Sequence, residues 1–197
     1  MKKLIVITTP YFFEEEGTIL SALFEEGLEQ LHLRKPNAGA DEISKLLDAI
    51  PNRFHPRIRL HDCFELAGNY AIGGLHLNKR NSRIPAGFRG TVSRSCHTLE
   101  EVKENNQLDY VFLSPIFQSI SKEGYGSGFP MDVLRKASAE GIINEKVIAL
   151  GGIDTTTIPL LKGLNFGGVA VLGALWGETS GKKELISIIQ RYKLLRL

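Results

Sequence analysis

The chain has 197 residues, of which 43% are hydrophobic, and this composition is ordinary for a globular protein. With 24 basic and 22 acidic residues its net charge is +2, which excludes the strongly basic surface typical of nucleic-acid binding. Two cysteines, Cys63 and Cys96, are too few for a disulfide framework. No apolar run has the length of a signal peptide core or a membrane span, so we expect one cytoplasmic domain over residues 1–197.

Strand-like and helix-like patterns alternate along the chain. Eight short runs are typical of strands: Leu4–Thr8, Gln30–Arg34, Arg57–His61, Gly74–Leu77, Thr91–Ser95, Asp109–Leu113, Val147–Leu150 and Val169–Leu172. Helical patterns lie between them: Glu16–Glu26, Asp41–Ile50, Cys63–Tyr70, Leu99–Asn105, Met131–Glu140, Thr155–Leu161, Lys182–Leu195 and, weakly, Ile84–Phe88. The alternation predicts a parallel sheet, and the count of eight favours a closed (β/α)₈ TIM barrel over a doubly wound sheet.

Two glycine-lined turns near the end of the chain are its most distinctive local feature. The buried strand predicted at Val147–Leu150 is followed by Gly151, Gly152 and the helix-capping residue Asp154. The next strand ends at Gly173 in the same way. Barrel enzymes bind phosphate at the turns after strands seven and eight, so we predict a phosphate site at the backbone N–H groups of these three glycines. The alternative is that the glycines only permit tight turns.

The barrel interior is predicted to be unusually polar on strands two to five. Neighbouring side chains on a strand point to opposite faces, so the apolar residues that face the helices turn the polar ones inward. The residues placed inside are His32, Arg34, Arg59, His61, His76, Ser93, Ser95 and His97. Burying imidazole and guanidinium groups without a ligand is costly, so we interpret the cluster as functional. For any single histidine, a hydrogen-bonded core residue is the simpler explanation.

The segment from Ser114 to Pro130 combines hydroxyl groups, a cation and several glycines. Ser119, Ser121 and Lys122 follow the sixth strand, at the end of the barrel where catalytic groups collect. We therefore predict that these three residues contact a phosphate group. An ordinary surface loop is the alternative.

Six short motifs occur in order along nearly the whole chain, each at a predicted strand end. They are Leu31-His32-Leu33-Arg34, His61-Asp62, Gly74-Leu75-His76-Leu77, Arg94-Ser95-Cys96-His97-Thr98, Ser114-Pro115-Ile116-Phe117 with Ser119-Ile120-Ser121-Lys122, and Ala149-Leu150-Gly151-Gly152-Ile153. Together they resemble the thiamine phosphate synthase and TenI family. The resemblance implies a compact TIM barrel of thiamine biosynthesis, a homodimer, that binds a thiazole phosphate with its phosphate at the glycine turns.

Departures from the family pattern bear on which reaction to expect. A thiamine phosphate synthase joins a pyrimidine pyrophosphate to the thiazole phosphate, and the resemblance implies a lysine two residues after Arg34 and acidic ligands for Mg²⁺. Here Pro36 replaces that lysine, and the Mg²⁺ positions fall on Asp62 and Asn81. Mg²⁺ prefers charged oxygen ligands, so these departures argue against a synthase.

We therefore expect the TenI branch of the family, whose members are thiazole tautomerases. The resemblance implies that they aromatise a carboxythiazole phosphate by moving a proton, without a metal or other cofactor. His97 would be the proton shuttle, with Ser95 beside it and Arg34 on the substrate carboxylate. The remaining interior histidines would line the site: His32, His61 and His76. The alternatives are a Mg²⁺-dependent thiamine phosphate synthase and a non-catalytic barrel that binds a thiazole or thiamine phosphate as a regulator.

Overall fold

Eight parallel strands close into a barrel, as the alternation predicts. The structure, a computed structural model, describes residues 3–117, 128–177 and 183–196. Each strand pairs with the next in sequence and the last pairs with the first, so the sheet has no free edge. The strands are β1 Leu4–Ile7, β2 Gln30–Leu33, β3 Ile58–Leu60, β4 Gly74–Leu77, β5 Thr91–Cys96, β6 Tyr110–Leu113, β7 Val147–Leu150 and β8 Gly168–Val171. The TIM-barrel prediction is confirmed, with every strand end within one residue of its expected position.

Helices and turns connect the strands on the outside of the barrel. The α-helices are α1 Glu16–Glu25, α2 Ala40–Asp48, α3 Leu99–Glu104, α4 Met131–Ala139, α5 Gly173–Trp176 and α6 Leu185–Leu195. Three more segments are 3₁₀ helices: Asn52–Arg57, Phe64–Gly68 and Ile158–Leu161. No helix among the described residues is long and apolar enough to cross a membrane.

Two predicted α-helices were wrong in type. The pattern over Cys63–Tyr70 forms only the 3₁₀ helix Phe64–Gly68, and the pattern over Thr155–Leu161 forms turns and a 3₁₀ helix with Pro159 at its start. Segments this short make few α-helical hydrogen bonds, so local turns and packing decide their form. The weak helical pattern at Ile84–Phe88 was also wrong, because no helix forms there.

The barrel interior has an apolar half and a polar half. Inward-facing residues of β1, β6, β7 and β8 form a small buried cluster: Ile5, Ile7, Tyr110, Phe112, Ile148 and Ala170. Strands β2, β4 and β5 instead direct His32, His76 and Ser93 inward, and all three are buried. The outward faces of the strands pack against the helices in a second, larger core. The polar residues therefore gather on β2 to β5, and they position the candidate site at that side of the barrel.

Candidate active site

Three histidines from neighbouring strands meet inside the polar half of the barrel. Nδ1 of His32, on β2, lies 2.8 Å from Nε2 of His61, which follows β3. Nε2 of His32 lies 2.7 Å from the hydroxyl oxygen of Tyr110, and Nε2 of Gln30 donates to the same oxygen. Since Gln30 and Tyr110 begin their strands, this chain of hydrogen bonds runs from the C-terminal end of the barrel to its N-terminal end.

The third histidine, His76 on β4, stacks on His61 and bonds to β5. The two ring centroids lie 4.1 Å apart with 20° between the ring planes. Nδ1 of His76 lies 2.8 Å from Oγ of Ser93, and Nε2 lies 3.0 Å from Oγ of Ser95. Ser95, expected beside His97, therefore has a hydrogen-bond partner within the histidine cluster.

Burial keeps all three imidazoles neutral. It lowers the pKa of His32 and of His61 well below the ordinary value, and repulsion from a charged His76 would add to the effect. Burial also lowers the pKa of His76 to about 3, with further contributions from Arg94 and Arg34. A neutral imidazole carries one N–H and one lone pair, so each ring can donate one hydrogen bond and accept another without burying a charge.

The three histidines are also candidate metal ligands, but their geometry does not suit an ion. One nitrogen from each ring lies within 4.8 Å of the others. A tetrahedral zinc ion with bonds of ~2.0–2.1 Å needs nitrogens about 3.3 Å apart with their lone pairs converging on one point. His61 and His76 are stacked instead, so their lone pairs lie in two nearly parallel planes about one ring spacing apart and do not converge on one point. The cluster is a hydrogen-bonded network as it stands.

Charged groups gather above the histidines at the C-terminal ends of β2, β3 and β4. Oδ1 of Asp62 accepts hydrogen bonds from Nε and Nη2 of Arg80, at 3.1 and 2.8 Å, and from Nδ2 of Asn81 at 2.9 Å. Its other oxygen, Oδ2, is buried and has no partner among the described residues. Burial lowers the pKa of Arg34, which follows β2, and Arg80 and Asp62 are close enough for their charges to act on this pKa too: Arg80 lowers it and Asp62 raises it. Arg34, Asp62 and Arg80 therefore form one charged cluster at the barrel mouth.

The residues at this mouth do not fit a resident Mg²⁺. Mg²⁺ is usually held by one or two carboxylates together with substrate phosphates. Here Asp62 is the one carboxylate of the cluster, Arg80 already neutralises it, and Asn81 turns its amide N–H toward it. Within the cluster as the structure describes it, Oδ2 of Asp62 is the one carboxylate oxygen without a partner, and the charge of Arg34 acts on this carboxylate. The metal positions implied by the family resemblance are thus occupied by an ion pair.

Lys35 does not replace the ammonium group that Pro36 removes. Its Nζ lies 2.6 and 2.8 Å from the carboxylate oxygens of Glu16 on α1, and it also donates to the carbonyl of Tyr11 at 2.7 Å. The side chains of Lys35 and Glu16 are only 1% and 2% exposed. The lysine is therefore a buried structural ion-pair partner between β2 and α1.

His97 lies apart from the histidine cluster, exposed just after β5. Its Nδ1 donates to the carbonyl oxygen of Ser114, 2.9 Å away at the end of β6. A carbonyl only accepts, so this bond assigns the proton of the neutral ring to Nδ1 and leaves a lone pair on Nε2. This tautomer has the lone pair that a general base requires.

The glycine turns are needed for packing as well as for any ligand. Gly151 and Gly152 have φ of +93° and +64°, a region that other residues rarely adopt. A Cβ on Gly151 would lie 2.8 Å from Pro115 Cα, and one on Gly152 would lie 2.7 Å from Phe117 Cβ. The chain after β6 fills the space that a side chain would need at Gly151 or Gly152, so packing requires both glycines whether or not a phosphate binds at their N–H groups. Of Gly151, Gly152 and Gly173, Gly173 alone has room for an added Cβ, which would meet nothing within 4 Å.

The alternation along strands identified the inner histidines but missed some of their partners. Tyr110 and Gln30 begin strands that were predicted, yet no sequence motif marks them. Arg80 belongs to a locally basic stretch, and its sequence position does not show that it bonds to Asp62. The predicted phosphate contacts Ser119, Ser121 and Lys122 lie outside the described residues.

Comparison with known proteins agrees with this fold. A family model described as thiamine monophosphate synthase matches residues 4–175. The chain is 24% identical over 209 residues to the thiamine-phosphate synthase of Thermoplasma acidophilum, covering 98% of this chain and 95% of the relative. It is 25% identical over 143 residues to that of Limosilactobacillus reuteri, covering 68% of this chain and 63% of the relative, less than two thirds of that relative's length.

A solved structure titled thiamine phosphate pyrophosphorylase from Bacteroides thetaiotaomicron is similar over almost its entire length. It superimposes with a TM-score of 0.88 at 43% identity, covering 98% of this chain and 95% of the other. The family model alone spans well over half of the residues. The chain therefore belongs to the thiamine monophosphate synthase family.

Proposed function

We propose that this protein is an enzyme of thiamine biosynthesis that joins a hydroxymethylpyrimidine pyrophosphate to a thiazole phosphate. This is the thiamine phosphate synthase reaction, after which its relatives are named. The observation that carries the proposal is a pair of candidate anion sites on opposite sides of one barrel mouth. Arg34 and Arg80 lie around β2 to β4, and Gly152 and Gly173 follow β7 and β8. In a closed ring of eight strands, β3 lies opposite β7. Both reactions need two anion sites, but the site around Arg34 and Arg80 holds two guanidinium groups, which suits a diphosphate better than the single carboxylate of a tautomerase substrate.

The proposed reaction breaks the bond between the pyrimidine methylene carbon and the pyrophosphate oxygen, and forms a bond from that carbon to the thiazole nitrogen. Negative charge develops on the departing pyrophosphate, so guanidinium groups close to it stabilise the transition state. Arg34 and Arg80 supply those charges. The neutral histidines below provide hydrogen-bonding groups and add no charge of their own.

A second candidate function, the thiazole tautomerase, is favoured by His97. Its Nε2 lone pair is left free by the bond from Nδ1 to Ser114, which is the state a general base requires. In this reaction His97 removes a ring proton and returns it to the exocyclic carbon, and Arg34 binds the substrate carboxylate. No metal takes part. Both candidates use the glycine turns for the thiazole phosphate.

Product analysis separates the candidates. The purified protein is incubated with the carboxythiazole phosphate alone, and with the aromatic thiazole phosphate plus the pyrimidine pyrophosphate. Thiamine phosphate in the second reaction supports the synthase, and aromatisation in the first without thiamine phosphate in the second supports the tautomerase. No turnover in either, with retained ligand binding, favours the regulatory barrel.

A further inference from the structure

The loop after β4 has a defined conformation at the barrel mouth. Oδ1 of Asn78 accepts from the backbone N–H of Arg80 and of Asn81, at 2.9 and 3.1 Å. Nδ2 of Asn78 donates to the carbonyl of His61 at 2.6 Å, and Asn81 donates to the same carbonyl at 3.2 Å. These bonds tie the loop to the end of β3, and they bring the Arg80 side chain to Asp62.

The guanidinium of Arg80 meets Asp62 in a way that leaves part of it available. Nε and Nη2 both donate to Oδ1, while the Arg80 side chain as a whole stays 49% exposed. A guanidinium carries five N–H donors in one plane, so this half-exposed side chain keeps donors that Asp62 does not use. One planar cation can then bridge a protein carboxylate and a phosphate oxygen, as a divalent ion does.

Arg34 adds a second guanidinium on the same side. Its side chain makes no hydrogen bond within the described residues, and it is only partly exposed. Burial lowers its pKa, the charge of Arg80 adds to this effect, and Asp62 opposes it. Two guanidinium groups and one carboxylate leave one net positive charge at the mouth. Such a field attracts a phosphate anion and opposes the entry of a free divalent cation.

We propose that Arg80 takes the place of a divalent metal at Asp62, and that Arg80 and Arg34 together bind a diphosphate group without Mg²⁺. The choice of diphosphate as occupant rests on the proposed function. Guanidinium groups match phosphate oxygens in paired hydrogen bonds, which gives both charge and orientation. Asp62 acts as a positioning residue that holds Arg80, and the role of the loop is to keep that pair in place.

Binding of inorganic pyrophosphate, measured by isothermal titration calorimetry, tests the inference without any turnover. Wild type, Arg80→Ala and the control Lys79→Ala are each titrated in EDTA and again with excess Mg²⁺. Lys79 is an exposed cation of the same loop, so its removal changes the net charge equally. We expect wild type to bind in EDTA, and Arg80→Ala to bind at least about tenfold more weakly there, or ~1.4 kcal/mol. Mg²⁺ should restore much of this loss in Arg80→Ala, because Asp62 is then free to hold the ion, and should change wild type little.

A second variant guards against a folding defect. Arg80→Gln keeps an N–H donor for Asp62 but removes the charge, so it should also weaken binding in EDTA while its thermal unfolding stays close to that of wild type. Wild type that binds pyrophosphate only with Mg²⁺ overturns the inference, as does equal binding by Arg80→Ala and Lys79→Ala. Metal-free pyrophosphate binding that depends on Arg80 but comes without thiamine phosphate formation supports the inference and refutes the proposed function instead.

Discussion

The buried histidines should make the stability of the protein depend steeply on pH. In the unfolded chain a histidine takes up a proton below about pH 6.5. In the folded chain, burial lowers the pKa of His32 and His61 well below that value and the pKa of His76 to about 3. The folded-state pKa values are depressed, so the unfolded state binds more protons as the solution becomes acidic. Stability is therefore full above about pH 6.5 and is lost as the pH falls toward the folded-state values.

The size of the effect follows from the same relation. Lowering the pH from about 7.5 to about 5.5 favours the unfolded state by about 1.4 kcal/mol for each histidine that stays neutral when folded. Three such residues give about 4 kcal/mol, a large part of the ~5–15 kcal/mol that stabilises a typical domain.

Urea unfolding at the two pH values measures this difference. His76→Gln should reduce it by about one third, because one of the three titrating groups is removed and the glutamine retains polar atoms for Ser93 and Ser95. The control is Ile148→Val, a buried residue of the apolar half that does not titrate. It should lower the free energy of unfolding by about 0.5–1.5 kcal/mol equally at both values. A free energy of unfolding that stays constant from pH 7.5 to 5.5 would refute the reasoning about the cluster.

Three further predictions concern single positions. Gly152→Val should destabilise the fold by about 1–3 kcal/mol, because φ is +64° and the new Cβ would lie 2.7 Å from Phe117; an unchanged melting temperature contradicts this. Lys35→Met should cost about 3–5 kcal/mol in urea unfolding, because it leaves the buried Glu16 unpaired, and the double variant with Glu16→Leu should recover part of the loss. If the tautomerase operates, His97→Gln should lower kcat about 10²–10⁴-fold with little change in ligand Kd, and near-normal turnover in a kinetic assay excludes it as the proton shuttle.

The barrel could be predicted because its signals are local and repeated. Buried apolar runs with β-branched residues determine that Leu4–Ile7 and Val147–Leu150 form strands. Eight such strands, alternating with helices, have few arrangements other than a closed parallel barrel that bury both faces of the sheet. Strand alternation also placed His32 and His76 inside, since side-chain direction has a fixed period of two. Short connections such as Cys63–Tyr70 carry no signal of comparable length, and their helix type was therefore wrong.

The partners of the polar residues were decided by tertiary structure. Asp62 bonds to Arg80, 18 positions further along the sequence, so the guanidinium of Arg80 becomes part of the site. Lys35 pairs with Glu16 on α1 instead, so its ammonium group does not take part in the site. Nothing in the local sequence distinguishes these two outcomes, because each depends on which carboxylate the closed barrel brings within hydrogen-bond distance. The glycine at 152 shows the same limit. The sequence determined that a turn follows β7. Only the tertiary structure shows that Phe117 occupies the space that a side chain at position 152 would need.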